Sequence, residues 1–205
     1  VLFRSPHEDR YITPREAATL QDFPENYEFK GTLGEVQKQI GNAVPVNLAA
    51  ALGRGVAKYF EKRKKTGILK VASYFTGAGG LDLGFEMASK DLITFKTVFS
   101  TDIEKCVEAT INFNRPQWNF YREDIRKLDP YFVKKVIGDR PDIIIGGPPC
   151  QPFSVAGKQK ATKDYLGVLY RDYLRHINEL KPEIVVMENV YGLAQVKSAN
   201  MIQEI

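Results

Sequence analysis

The chain has 205 residues, 43% hydrophobic and 26% charged, so it can bury a sizeable core and lacks the composition of a disordered protein. No apolar run approaches the roughly 18 to 20 residues that a membrane span needs, and the N-terminus is too polar for a signal peptide, so we expect an intracellular protein without a membrane partner. The two cysteines and two histidines show no metal-ligand spacing, and the net charge of +4 permits a polyanionic partner without requiring one.

The first part of the chain is predicted to contain two helices and a linker. Thr13-Pro14-Arg15-Glu16 combines an N-cap hydroxyl, a proline at the first helical position and a glutamate three residues on, a capping box that opens a short helix ending near Leu20. A turn-rich stretch then extends to Gly34, and apolar residues at helical spacing predict a second helix over residues 47–63. The basic residues at 62–67 predict a solvated linker.

From Lys70 onward, predicted strands alternate with predicted helices. The strands are residues 70–75, 97–100, a short segment near 120, 142–145 and 183–187; the helices are residues 81–89, 103–113, 130–137 and 167–180. This alternation predicts an α/β fold with a mostly parallel sheet and helices on both faces. We therefore divide the chain into a segment of residues 1–66 and a domain of residues 67–205.

A rigid turn directly after the strand at 142–145 carries Cys150 within the stretch GGPPCQPFS. In open α/β sheets the ligand crevice lies beyond the carboxyl ends of the strands, so this thiol is a candidate nucleophile. By composition alone, a lone cysteine is more often a small buried apolar residue. Lys158 and Lys160 follow in a loop of low apolarity, where cations can reach phosphates.

A glycine-rich turn, FTGAGGLD at residues 75–82, follows the first strand and lets the backbone approach a ligand. The dinucleotide pattern needs a glycine where Asp82 stands, and an acid there would repel a pyrophosphate, so a nicotinamide cofactor is disfavoured. Asp102 stands where an acid binds ribose hydroxyls or caps the next helix, and Asp124-Ile125 can meet a purine. Together these positions favour S-adenosylmethionine.

Several blocks of the chain together resemble the cytosine carbon-5 DNA methyltransferases. Residues 75–82 resemble the first motif of that family, 149–151 its nucleophile motif, 188–190 its glutamate motif, 10–24 its ninth motif, 39–45 its tenth, and 167–170 the segment whose leucine touches the cofactor. The resemblance implies a Rossmann-like fold that uses S-adenosylmethionine to methylate carbon 5 of a flipped cytosine in double-stranded DNA.

The resemblance also implies residue roles. Cys150 would add to carbon 6 of the ring as a thiolate, and Glu188 would hold the ring nitrogen and the exocyclic amine with a carboxyl of raised pKa. The implied cofactor contacts are Asn42, Val44, Phe75, Gly77, Ala78, Gly79, Gly80, Asp102, Ile103, Asp124, Ile125, Pro148 and Leu169. The implied substrate contacts are Gln151, Ser154, Lys158, Lys160, Asn189 and Val190.

The order of the blocks departs from the family pattern, because the ninth and tenth motifs come before the first. We expect either a circular permutation or a fusion of two methyltransferases. The arginine-bearing eighth motif and the target-recognition region are absent, no initial methionine is present, and the sequence stops at Ile205 inside a predicted helix, so we expect a fragment that needs a second polypeptide.

Two alternatives to a DNA methyltransferase stay open: a transfer RNA cytosine-5 methyltransferase, and a non-catalytic subunit of a split enzyme. For the main hypothesis we expect a role in bacterial restriction-modification and a cytoplasmic, nucleoid-associated location.

Overall fold

The computed structural model describes residues 4–5, 8–90, 92–149 and 165–189, with side chains in the last range from Leu169 onward. The helices are α1 Pro14–Leu20, α2 Leu33–Gly41, α3 Val46–Lys62, α4 Gly80–Met87, α5 Lys105–Asn114, α6 Pro130–Ile137 and α7 Tyr165–Leu180. The strands are β1 Gly67–Tyr74, β2 Ile93–Asp102, β3 Phe120–Arg122, β4 Ile143–Gly146 and β5 Ile184–Met187. Within the described ranges, no helix is both long enough and apolar enough to cross a membrane.

The five strands form one sheet in the order β3-β2-β1-β4-β5, and every neighbouring pair is parallel. Val71 pairs with Thr97 on one side and with Ile143 on the other, and a register shift between Val71 and Ala72 locally disturbs the pairing with β2. All of β4 is buried, as its unbroken isoleucine run requires for a strand covered on both faces. The α/β fold with a parallel sheet is confirmed.

Helices cover both faces of the sheet because strand residues alternate in direction. On one face, Leu69 of β1 packs with Phe60 of α3 and Phe85 of α4. On the other face, Ile144 of β4 packs with Tyr173 of α7. A third cluster joins α1, α2 and α5 beside the sheet, with Ala18, Tyr27, Ile40, Val107, Ile111 and Trp118 buried in it.

Helices α3 and α4 approach each other closely through small residues. A Cβ atom at Gly84 would lie 2.3 Å from the Cβ of Ala49, and one at Gly53 would lie 2.7 Å from the Cβ of Ala88. Real Cβ atoms do not approach this closely, so the backbones can meet only because both positions lack a side chain. Residues 46–62 therefore share a core with the sheet.

The first 66 residues hold two features that the sequence did not predict. Helix α2 begins where the turn-rich stretch ends, and Thr32 opens it with a capping box: the Thr32 hydroxyl accepts from the Glu35 amide at 3.4 Å, and the Glu35 carboxylate accepts from the Thr32 amide at 2.7 Å. The predicted basic linker is exposed except at Lys65, whose Nζ atom lies 2.5 Å from the Asp142 carboxylate and 3.1 Å from that of Glu183. These contacts fix the connection between α3 and β1.

Candidate active site

The carboxyl ends of β1, β2, β4 and β5 meet at one edge of the sheet, as parallel strands require. Two adjoining cavities there form what we call the strand-end cleft. One cavity is lined by residues that include Asn42, Val44, Phe75, Gly77, Ala78, Gly80, Gly147 and Glu188. The other is lined by residues that include Phe75, Asp102, Ile103, Asp124, Ile125, Pro149 and Leu169. The structure thus brings Glu188 and most of the predicted cofactor contacts together.

Two predicted cofactor contacts, Gly79 and Pro148, line neither cavity as the described residues form them. A Cβ at Gly79 would instead lie 3.1 Å from side-chain atoms of Ile111 and Trp118, so this residue faces the protein interior. The Pro148 carbonyl accepts from Asn189 Nδ2 at 3.3 Å. Both residues shape the loops beside the cleft.

At two positions of the glycine turn, residues 75–80, the backbone has the positive φ that glycine adopts most readily. Gly77 has φ +52° and Gly79 has φ +78°, and Gly79 forms the N-cap of α4. The turn is held to β2 because the Thr76 amide donates to the Thr101 carbonyl at 3.1 Å. At Gly80, a Cβ would lie 2.3 Å from the Val44 carbonyl oxygen, so the turn also presses against the chain before α3.

Asp102 ends β2 and turns its carboxylate toward the glycine turn. It accepts from the Gly77 amide at 2.9 Å and from the Glu104 amide at 3.0 Å. Burial raises the pKa of Asp102, against the effect of these two hydrogen bonds. The N-cap of α5 is Glu104, so the alternative of Asp102 as the helix cap is wrong. Ile103 therefore precedes α5, although the sequence predicted it as helical.

Asp82 does not face an open turn, so the argument that it would repel a pyrophosphate is wrong in its premise. The residue is 1% exposed, and its carboxyl accepts from the Ser73 hydroxyl at 2.8 Å and from the Thr97 hydroxyl at 3.1 Å. Burial raises the pKa of Asp82 to about 7. This carboxyl ties α4 to the sheet beneath the glycine turn.

Asp124 forms an ion pair with Arg126 beside the cleft. Arg126 Nε donates to both carboxylate oxygens at 2.9 Å, and its amide donates to one of them at 3.0 Å. These bonds lower the pKa of Asp124, so the carboxylate stays ionised. The neighbouring Ile125 carbonyl accepts from Arg175 Nη2 at 3.0 Å, which fixes this wall of the cleft from α7.

Glu188 follows β5 and lies beside the loop that follows β4. Its amide donates to the Gly146 carbonyl at 3.0 Å, and a Cβ at Gly147 would lie 2.9 Å from the carboxyl Oε2 atom. Although Glu188 is exposed as a whole residue, burial of its carboxyl raises its pKa. Sequence analysis missed Gly147, whose lack of a side chain makes room for this carboxyl.

The other cysteine and one histidine lie in the protein interior. Cys106 packs in α5 among the third cluster, and burial raises the pKa of its thiol. His176 is buried with its Nδ1 atom 3.0 Å from the Tyr74 hydroxyl, and burial lowers its pKa to about 4. In the described ranges, no cluster of three or more His, Cys, Asp or Glu residues is placed to hold a metal ion.

The sequence of the chain matches the profile of a known protein family. The profile of the C-5 cytosine-specific DNA methylase family matches residues 3–58 and 69–205. The chain belongs to this family. The break in the match to this DNA methylase family, at residues 59–68, coincides with the end of α3 and the start of β1.

Two relatives of the chain are type II methyltransferases of bacteria. The chain is 43% identical over 121 residues to M.PspPI of Psychrobacter, a match that covers 59% of this chain and 27% of that protein. It is 35% identical over 138 residues to M.NgoPII of Neisseria gonorrhoeae, covering 67% of this chain and 38% of that protein. The chain thus spans well under half the length of these two relatives.

Solved structures confirm the methyltransferase fold. A crystal structure described as a DNA modification methyltransferase encoded within an E. coli prophage matches with a TM-score of 0.55 and 30% identity, covering 66% of this chain and 36% of that one. A DNMT2 variant from Spodoptera frugiperda matches with a TM-score of 0.51 and 25% identity, covering 66% and 40%. The predicted fold of S-adenosylmethionine-dependent methyltransferases is therefore confirmed.

Several residues of the family motifs lie outside the described residues. They are Cys150, Gln151, Ser154, Lys158, Lys160 and Val190. Their predicted roles stay predictions that rest on the sequence. The described chain reaches Pro149 on one side of Cys150, and Pro149 lines the strand-end cleft.

Proposed function

We propose that this protein transfers a methyl group from S-adenosylmethionine to carbon 5 of a cytosine in double-stranded DNA. One observation carries the proposal. The Glu188 carboxyl, with its raised pKa, lies against Gly147 in a cavity that the glycine turn also lines. Cys150 follows Gly147 by three positions in the sequence. An acid and a nucleophile that serve one pyrimidine belong at such neighbouring strand ends.

The residues of the strand-end cleft fit a ligand that contains an adenosine. At Gly77 no side chain fills the approach to the backbone of the glycine turn, because a Cβ there would meet only the Phe75 carbonyl oxygen, at 3.9 Å. Asp102 keeps acceptor capacity for ribose hydroxyls, and the ionised Asp124 can accept from an exocyclic amine. The bound cofactor would supply the activated methyl group. The remaining predicted contacts would complete its pocket.

The protein's own residues would activate the cytosine. The Cys150 thiolate forms a bond to carbon 6, and the electron pair of the ring double bond moves to carbon 5. Carbon 5 then bonds the methyl group, whose bond to the sulfonium sulfur of the cofactor would break and leave S-adenosylhomocysteine. Glu188 in its protonated form donates to the ring nitrogen and stabilises the negative charge that the addition places there. Water takes the proton from carbon 5, the electron pair of that bond restores the double bond between carbons 5 and 6, and Cys150 leaves as a thiolate.

The target cytosine has to leave the duplex before these groups can reach it. We propose that Gln151, Ser154, Asn189 and Val190 contact the flipped nucleotide. We further propose that Lys158 and Lys160 bind backbone phosphates beside it.

The test uses DNA that carries 5-fluorocytosine, because fluorine at carbon 5 cannot leave as a proton and the covalent adduct persists. The protein expressed from its full open reading frame is incubated with this DNA and S-adenosylmethionine, and a denaturing gel reports the adduct. We expect an adduct for the wild type and none for Cys150→Ser. For Glu188→Gln we expect the rate of adduct formation to fall at least 100-fold, in the range that general acid catalysis contributes.

The matched control is Cys106→Ser, which removes the other thiol of the chain. Cys106 is buried in the third cluster and lines neither cavity of the strand-end cleft, so this variant should form the adduct at the wild-type rate. An adduct with Cys150→Ser would contradict the assignment of the nucleophile. Methyl transfer to transfer RNA but not to DNA would replace our substrate with the RNA alternative.

We also propose that the chain is circularly permuted rather than fused from two enzymes. Residues 46–62 pack against the sheet that residues 67 onward build, and only residues 63–66 connect them. A permuted chain needs this contact within one fold. We also propose a role in restriction-modification and a cytoplasmic, nucleoid-associated location.

A further inference from the structure

Three aromatic side chains lie against the glycine turn and line neither cavity of the strand-end cleft. Phe23 and Tyr27 come from the chain between α1 and α2, and Trp118 comes from the chain between α5 and β3. The Phe23 ring edge would lie 3.4 Å from a Cβ at Gly80, and the Trp118 ring 3.1 Å from a Cβ at Gly79. The conformation of the turn is therefore set partly by residues that lie far from it in sequence.

Of these three side chains, Tyr27 forms a hydrogen bond with the turn. Its hydroxyl donates to the Ala78 carbonyl at 2.7 Å, and the residue is 3% exposed. Its ring centroid lies 5.1 Å from that of Phe23 and 5.4 Å from that of Phe29, so neighbouring rings fix its orientation. Burial raises the pKa of Tyr27, which keeps the hydroxyl a neutral donor at working pH.

Ala78 stands between the two glycines that have positive φ, so its carbonyl direction and the shape of the turn are linked. On the cleft side, Asp102 accepts from the Gly77 amide. Tyr27 donates to the Ala78 carbonyl, one residue further along the turn. The two contacts hold the turn from two separate parts of the chain, β2 and the first 66 residues.

We propose that Tyr27 is a positioning residue that keeps the glycine turn in its cofactor-binding conformation and so couples residues 14–62 to cofactor affinity. The inference rests on the proposed function. Without the hydroxyl, the buried Ala78 carbonyl has no donor among the residues that the structure describes, and the free protein lowers its energy by turning that carbonyl toward water. The cofactor then binds only the molecules whose turn has the original conformation. The apparent Kd equals the intrinsic Kd divided by the fraction of such molecules, so it rises as that fraction falls.

The experiment compares Tyr27→Phe with the wild type in binding S-adenosylhomocysteine. Trp118 is the single tryptophan of the chain and borders the turn at Gly79, so its fluorescence reports the state of the turn. We expect Tyr27→Phe to raise the Kd about 5- to 10-fold, since loss of a partner to a buried group falls in that range. We also expect a changed Trp118 emission in the ligand-free protein. The variant keeps the ring and its packing, and circular dichroism checks its fold.

Tyr59→Phe is the matched control, because Tyr59 packs its ring against Phe60 in α3 and lines neither cavity. Its Kd and Trp118 emission should equal those of the wild type. A Tyr27→Phe protein with lower thermal stability but an unchanged Kd would show a merely structural role and overturn the inference. A wild type that binds no S-adenosylhomocysteine would overturn the proposed function, and this inference with it.

Discussion

The buried carboxyl of Asp82 makes the stability of the protein depend on pH. In the folded state its pKa is about 7, against an ordinary value of 3.8. Between these two values, the folded protein holds a proton that the unfolded chain has released. The free energy of unfolding therefore falls as the pH rises through this window, and the contribution of the protonated carboxyl is lost above pH 7.

The size of the effect follows from the two pKa values. At 1.36 kcal/mol for each pH unit, the interval corresponds to about 4 kcal/mol. Asp82→Asn removes the ionisation but keeps the size of the side chain. Its amide can still accept from one of the two hydroxyls, Ser73 or Thr97, and donate to the oxygen of the other. We expect the free energy of unfolding of this variant, relative to that of the wild type, to rise by up to about 4 kcal/mol from pH 4 to pH 8.

Urea unfolding at a series of pH values measures this difference. Other groups titrate in both proteins, so the difference between the two unfolding free energies isolates Asp82. Asp139→Asn, a change at an exposed site after α6, is the control and should follow the wild-type profile at every pH. A constant difference between Asp82→Asn and the wild type from pH 4 to pH 8 would refute the assignment of a raised pKa to this buried carboxyl.

Three further substitutions test the packing and the helix capping of the first 66 residues. Gly84→Ala should destabilise the protein by about 1–3 kcal/mol because its Cβ would meet Ala49, whereas Gly55→Ala, on the exposed side of α3, should stabilise it by about 0.5–1 kcal/mol. Thermal unfolding of both variants measures the two changes in stability, and equal changes would argue against the close contact of α3 with α4. Thr32→Ala removes the N-cap of α2 and should lower the free energy of unfolding by about 1 kcal/mol in the same assay. An unchanged free energy of unfolding would argue against the capping box.

Much of the fold could be predicted because its signals are local. Helix α6 has the predicted bounds, since Asp129, Pro130 and Gly138 supply a cap, a first-turn proline and a left-handed end. Strand β2 is longer than predicted because its polar residues at Thr94 and Lys96 point outward while the alternate positions are buried. Helix α2 was missed because it is largely polar.

The site could be predicted only in part. Topology alone brings Asp102, the glycine turn and Glu188 to one edge of the sheet, since the strands are parallel. The contact of Tyr27 with Ala78 joins residues 51 positions apart, and no local pattern encodes it. Likewise, the inward direction of the Asp82 carboxyl depends on Ser73 and Thr97 from two different strands.

The connection at residues 63–66 lies at the amino ends of the strands, where Lys65 contacts the residues that precede β4 and β5. Every reacting group that we assign belongs to the other end of the sheet. Cutting or rejoining the polypeptide at this remote point would leave the chemistry untouched. The connection between the two segments is thus far from the strand-end cleft, so a change in the order of the segments along the gene need not alter the groups to which we assign the chemistry.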